Sequence, residues 1–209
     1  RDKLVTGVQT CALPICDNKA SDTWHSGNFT LSFSATKNGA SNVTYYYGTT
    51  DNPATPGSSV SVSSNTASTT YYVKACNEAG VCSSNASYIV KLDKDTPAAP
   101  SVTGGSTTWA TSRTFILTNP TSTSGISTYE YYVSNSNTAP SSSTNGTSIL
   151  NPSFTVTQDG QYIFFRVVNN ATTKGEWSSA YNLYVDTTTY TITYNLNGGT
   201  NPSGTVTSY

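Results

Sequence analysis

In "NFTLSFS", residues 28–34, Phe29, Leu31 and Phe33 alternate with polar residues, so an extended chain presents all three on one face. The same period of two recurs further along. Val43, Tyr45 and Tyr47 alternate in "NVTYYYG", and Tyr129, Tyr131 and Val133 in "TYEYYVS". Tyr71, Val73 and Ala75 do so in "YYVKACN", as do Ile163, Phe165 and Val167 in "IFFRVVN". Between the runs lie clusters such as "TTDNPATPGSS" and "SNSNTAPSSSTNG", whose Pro, Gly and Asn residues interrupt strands and helices alike. Short alternating runs separated by turn signals predict antiparallel strands with one buried face, and an all-β chain.

The runs occur twice in the same order. "SDTW", ending at Trp24, returns as "STTW", ending at Trp109. "SNVTYYYGTT" pairs with "STYEYYVSNS", "YYVKACN" with "IFFRVVN", "GVCSS" with "GEWSS" and "YIVKLD" with "YNLYVD". The spacing between counterparts rises from 85 to 95 and returns to 93 residues, so insertions fall between motifs, where loops tolerate them. Repeat units of roughly 80–90 residues built from short strands predict two tandem antiparallel β-sandwiches. They are placed at residues 17–95 and 96–187, and residues 188–209 form a different, truncated β module.

The series "W…YYY…YYVKACNEAGVCS…YIVKLDKDTPAAP" resembles the immunoglobulin-like or fibronectin type III-like repeats of bacterial surface proteins, over roughly residues 17–187. Its most specific part is the "ACNEAGVCS" hairpin with the "DKDTP" exit that follows. The resemblance implies tandem stalk or adhesion modules without catalysis, extracellular, on a bacterial cell surface or secreted. Each is a monomeric module within a longer chain, and the implied partner is a host or matrix protein, or a glycan. The tail "YTITYNLNGGTNPSGTVTSY", residues 190–209, resembles the opening of the internalin-type (Listeria–Bacteroides) B-repeat through its Y-x-I-x-Y-x-x-N-G-G start. That implies a small β-grasp-like fold, of which one strand and a turn are present.

Charge and composition narrow the function. Only 10% of residues are charged and the net charge is −1, which removes the electrostatic basis for nucleic-acid binding. No apolar run approaches the roughly 18 residues of a membrane helix, so no membrane insertion is expected within this chain. His25, the single histidine, lies in "TWHSGN" and is expected to be a solvated loop residue. Glu78, Glu130 and Glu176 are isolated in sequence, and "VTGGST" and "LNGGT" lack the lysine and helix of a phosphate loop. Neither an enzyme nor a cofactor is expected.

Two further sets of residues have competing readings. Trp24 and Trp109 are expected to plug one end of each core, with sugar stacking as the rival. A carbohydrate-binding accessory module of a surface glycoside hydrolase is the alternative function, and its stacking residues are the outward-facing Tyr46, Tyr72, Tyr132 and Trp177. Asp93 and Asp95 raise the question of a calcium linker, but Asp186 at the second junction is followed by "TTTY" and lacks a partner acid. A polar linker stiffened by Pro97 and Pro100 is the expected reading, with no metal.

Cys76 and Cys82 flank the turn of "CNEAGVC" and are expected to form a disulfide, a surface staple on the face opposite Tyr71, Val73 and Ala75. For so short a loop it contributes about 2 kcal/mol. In the second repeat Val168 takes the place of Cys76 and Trp177 that of Cys82, with Arg166 on the same face to stack on Trp177. The other two cysteines lie in "LVTGVQTCALPIC" at residues 4–16. Gln9, Thr10 and Pro14 interrupt it, so it fails as a signal peptide. Residues 5–15 resemble the in-frame translation of a common sequencing-library adapter, V-T-G-V-Q-T-C-A-L-P-I. Residues 1–16 are therefore read as an assembly artefact, and the first repeat as lacking its first strand.

Overall fold

A computed structural model describes residues 20–35, 42–194 and 197–200, and the backbone of residues 13–16. Strands are the only regular elements among them. In chain order they are β1 Leu13–Cys16, β2 Trp24–His25, β3 Phe29–Ser34, β4 Val43–Gly48, β5 Thr55–Pro56, β6 Ser59–Val62, β7 Thr66–Asn77 and β8 Ala86–Leu92. There follow β9 Ser101–Thr103, β10 Arg113–Thr118, β11 Ile126–Ser134, β12 Thr147–Ile149, β13 Ser153–Val156, β14 Gly160–Asn169 and β15 Tyr181–Val185. Among the described residues of 188–209 no strand forms.

The chain divides into two compact units. Unit 1 holds the described residues up to Ala98, with Thr121–Ser127 and Val168–Gly175. Unit 2 holds Ala99–Pro120, Thr128–Val167 and the described residues from Glu176 onward. In unit 1 a three-stranded sheet, β1-β3-β6, accompanies a five-stranded sheet, β2-β8-β7-β4-β5. The second pair of sheets is β13-β10-β9 and β12-β11-β14-β15, in unit 2 apart from the ends of β11 and β14. β3 with β6, β4 with β7 and β7 with β8 pair antiparallel, whereas β2 runs parallel to β8, Trp24 beside Lys91 and His25 beside Leu92, and Ala110 bridges Val185 in parallel as well. Neighbours distant in sequence, such as β3 with β6 and β4 with β7, mark the Greek-key connectivity of immunoglobulin-like and fibronectin type III-like sandwiches.

The alternating residues build the cores. Phe29, Leu31 and Phe33 are buried on β3 while the intervening residues are exposed. They meet Val73 and Ala75 of β7 and Tyr88, Val90 and Leu92 of β8, and Tyr45 and Tyr47 pack against the same cluster. Unit 2 repeats the scheme with Phe115, Leu117, Ile163, Phe165, Val167, Leu183 and Val185. Each such side chain contributes about 1.5–3 kcal/mol by leaving water.

Where the first repeat was read as missing a strand, the backbone of Leu13–Cys16 stands. It pairs with β3, Cys16 opposite Leu31, as β9 pairs with β10, Val102 opposite Leu117. Residues 1–12 and 17–19, the rest of the segment and the residues after it, lie outside the described residues. A sheet edge offers a row of unpaired N–H and C=O groups, and any adjoining extended run can complete it.

The hairpins that end the β7 and β14 strands correspond turn for turn. Asn77 N–H donates to Val81 O and Asn169 N–H to Thr173 O; Gly80 N–H donates to Asn77 O and Thr172 N–H to Asn169 O. The side-chain oxygens of Asn77 and Asn169 accept from the amides of Val81 and Thr173. Cys76 bridges to Cys82, and Val168 to Lys174. The residue in the place of Cys82 is thus Lys174, not Trp177. Matching "GVCSS" to "GEWSS" misplaced it because the added residues follow the turn rather than lie within it. The turn needs a left-handed residue, which is Gly80 (φ 78°) in one hairpin and Thr172 (φ 66°) in the other.

A β-branched residue in that region carries a steric penalty that glycine avoids. Thr172→Gly is therefore expected to raise stability by about 1 kcal/mol in chemical denaturation, and Gly80→Thr to lower it similarly. A stability loss in Thr172→Gly would contradict the assignment.

Candidate functional site

Alternation along β14 sends Ile163, Phe165 and Val167 into the core and Phe164 and Arg166 to the opposite face, yet both of those are also buried. Arg166, at 1% exposure, is among the largest fully buried side chains. Its Nε and Nη2 donate to one carboxylate oxygen of Glu130, at 2.8 and 2.5 Å. Nη1 donates to Ser142 O at 2.7 Å and Nη2 to Thr144 O at 2.8 Å. The Trp177 ring lies over the guanidinium, 4.3 Å from ring centroid to carbon, and its Nε1 donates to Ser141 O. A Cβ on Gly146 would stand 2.8 Å from the Trp177 ring and 2.7 Å from Tyr131 O, so the close approach of this loop requires glycine.

The stack of Arg166 on Trp177 is as expected, but it is buried, and Glu130 is its acid rather than an isolated residue. Taking an ion pair out of water is unfavourable unless the remaining donors are met. Here the two loop carbonyls meet them. The signal was present in sequence: Glu130 and Arg166 are the charged residues of two otherwise uncharged strands. It was missed because their partnership depends on which strands are neighbours.

The corresponding face of unit 1 is arranged differently. Tyr46 of β4 lies opposite Lys74 of β7, and Thr44 opposite Cys76. The Cys76–Cys82 disulfide closes the hairpin with the Cα atoms 3.9 Å apart, Cys76 buried and Cys82 exposed. Beside it is a groove of about 570 Å³ lined by Thr44, Tyr46, Pro53, Lys74, Cys76 and Glu78, among others. Tyr72, further along β7, is half-buried opposite Ser87 and Gly48. In unit 2, Tyr132 is 36% exposed with its ring 6.3 Å from that of Trp177, one face of which Arg166 already occupies. Each unit carries its own pair of the four aromatics proposed for sugar stacking.

Three expectations are corrected at the other end of the strands. His25 is not a solvated loop residue: it is 5% exposed and stacks on Phe29, centroids 3.7 Å apart. Its two-residue strand lies against β8, and alternation turns His25 inward and Trp24 outward. Trp109 does not plug the core either, being 53% exposed. It too precedes the residue that bridges to the last strand, since Ala110 pairs with Val185 as His25 does with Leu92. Trp24 is half-buried, with Lys91 Nζ 5.9 Å from its ring centroid.

Asp93, within unit 1, is 1% exposed and is surrounded by donors. One carboxylate oxygen accepts from Ser122 Oγ at 2.8 Å, Ser124 Oγ at 2.7 Å, Ser124 N–H at 2.8 Å and Asn169 Nδ2 at 3.2 Å. Burial pushes its pKa up, but the Ser124 and Ser122 hydroxyls and the amides of Ser124 and Asp95 outweigh this and hold it below the ordinary carboxylate range. This is a site for an anion. The other carboxylate oxygen accepts from the Asp95 N–H at 3.3 Å, and among the described residues no three metal-ligating side chains gather.

No protein-family model matches the chain, and no curated protein does. Among solved structures it is similar to domains A168–A170 of titin, with a TM-score of 0.48 and 18% identity over 84% of this chain and 68% of that one. It is also similar to fibronectin(III)-like modules of CbhA from Clostridium thermocellum, with a TM-score of 0.43 and 12% identity over 83% of this chain and 95% of that one.

Two outcomes follow from the buried charges. Arg166→Met or Glu130→Gln alone is expected to destabilise by about 3–5 kcal/mol in denaturant titration, and a paired apolar replacement by much less. Equal losses in the single and paired variants would contradict the coupling. Because the folded-state pKa of Asp93 is depressed, its contribution is present above about pH 4 and is lost as pH falls through the lowered value. Asp93→Asn is expected to lower stability at neutral pH by about 1–3 kcal/mol and to flatten the acid limb of the stability curve; an unchanged limb would contradict the role.

Proposed function

We propose that the chain is a pair of non-catalytic spacing and presentation modules from a bacterial cell-surface or secreted protein. The observation that carries this reading is that the same sandwich is built twice in tandem, while the groups that chemistry would need serve structure. Glu130 is paired with Arg166, one Asp93 carboxylate oxygen accepts four hydrogen bonds and His25 is stacked in a core. The Cys76–Cys82 bridge favours an oxidising, extracellular compartment. Exposed loops offer contacts to a host or matrix protein.

The same proposal takes the first module as residues 17–95 and the second as 96–187. Residues 188–209 then open an internalin-type B-repeat, and residues 1–16 are adapter-derived, with Leu13–Cys16 filling an edge left open. Single-molecule extension of the chain from residue 17 onward tests the whole. Two separate unfolding events are expected, each releasing roughly 25–30 nm of chain at about 3.6 Å per residue. They should match those of the full chain. A single event, or the loss of one on removing residues 1–16, would overturn the reading.

A further inference from the structure

We propose that Trp109, Tyr190 and Asp186 of unit 2 form a stacking site for a neutral sugar ring. Trp109 and Tyr190 are 53% and 48% exposed, and with Ala110, Thr111, Asp186 and Thr188 they line a cleft of about 380 Å³. That is within the size range of small-ligand sites, and its make-up is the usual one: aromatic walls with a few placed polar groups.

Comparison of the two repeats isolates what is particular to this cleft. Lys91 and Tyr184 occupy the same position on the last strand, each beside the tryptophan of its unit. Lys91, held by Asp22 at 2.7 Å, lies over the Trp24 ring and caps it. Tyr184 instead meets Trp109 edge-on, centroids 5.0 Å apart at 64°, and is backed by Tyr162 at 6.4 Å and 70°. The Trp109 ring is thus fixed in orientation and left open to solvent. The negative face of an indole attracts the weakly positive C–H face of a sugar ring.

Tyr184 takes this pose at φ 47°, a left-handed conformation that a bulky aromatic residue rarely adopts. The backbone is pinned there by Ala110 N–H donating to Tyr184 O and Asp186 N–H donating to Ala110 O. Strain of this kind persists only where its surroundings over-determine it, and it collects at binding sites. Asp186 supplies acceptors. Its two carboxylate oxygens take the Thr188 amide at 2.8 Å and the Tyr190 hydroxyl at 2.7 Å, and each has further lone-pair capacity for a sugar hydroxyl. The Tyr190 hydroxyl first, then Thr188, hold its pKa below the ordinary range, so the cleft carries a negative charge at neutral pH. That charge disfavours acidic glycans and selects neutral ones. The site takes up the sugar-stacking alternative weighed for Trp109 from sequence, and its lining includes none of Tyr46, Tyr72, Tyr132 and Trp177.

The test is titration of the full chain with neutral hexasaccharides of β-1,4-linked glucose, xylose and mannose, followed through the indole N–H resonances of its three tryptophans. Saturable perturbation of Trp109 by at least one of them is expected. Trp109→Ala should weaken that binding by roughly tenfold or more, with Asp186→Asn and Tyr190→Ala also weakening it, while Trp24→Phe and Trp177→Phe leave it intact. Trp109 is half-exposed, so its alanine variant should keep its melting temperature. The proposal is overturned if no hexasaccharide moves the Trp109 resonance, or if binding survives Trp109→Ala. A spacer can carry such a site or lack it, so failure here leaves the spacing role standing.

Discussion

Each sandwich is organised by the strand at the centre of its larger sheet, β7 or β14, both of whose faces must be filled at once. Because side chains alternate, the residues of one face place no demand on those of the other. The inward triads, Tyr71, Val73 and Ala75 in one and Ile163, Phe165 and Val167 in the other, are interchangeable apolar sets. The outward sets are Tyr72, Lys74 and Cys76 against Phe164, Arg166 and Val168. The modules differ most on that face.

Burying Arg166 dictates much of the rest of unit 2. A guanidinium out of water needs an acid, and Glu130 on the adjacent strand supplies it. Its other donors need carbonyls, which brings Ser142 and Thr144 down onto the sheet. The loop can come that close because Gly146 has no side chain, and Trp177 covers the assembly. Unit 1 has Lys74, whose long stem keeps its ammonium near water at the edge of a groove, and it secures the same hairpin covalently through Cys76–Cys82.

What was legible in the sequence is what depends on local period. The buried face of β3, the inward triads, the doubled order of motifs and the disulfide across a short turn all follow from alternation and spacing. The stack of Arg166 on Trp177 was expected by setting Trp177 in the place of Cys82, which Lys174 holds instead; the stack forms all the same, from the stretch that follows the turn. What was not legible depends on partners distant in the chain. His25 is inward because a two-residue strand docks beside β8, and Trp109 is outward for the same reason. The acid partner of Arg166 emerges only once β11 and β14 are neighbours. The equivalence of Lys174 with Cys82 requires knowing that the turn ends before the inserted residues.

The claim that the outward face of β14 is closed over a buried cation is tested most directly by the Nε–H proton of Arg166. It donates to Glu130 at 2.8 Å beneath the Trp177 ring. In an NMR spectrum at neutral pH, a solvated arginine exchanges this proton rapidly with water. A sharp, slowly exchanging Arg166 Nε–H signal, displaced by the ring current of Trp177, is the predicted result. A signal broadened by exchange at the position of a free arginine would contradict the account.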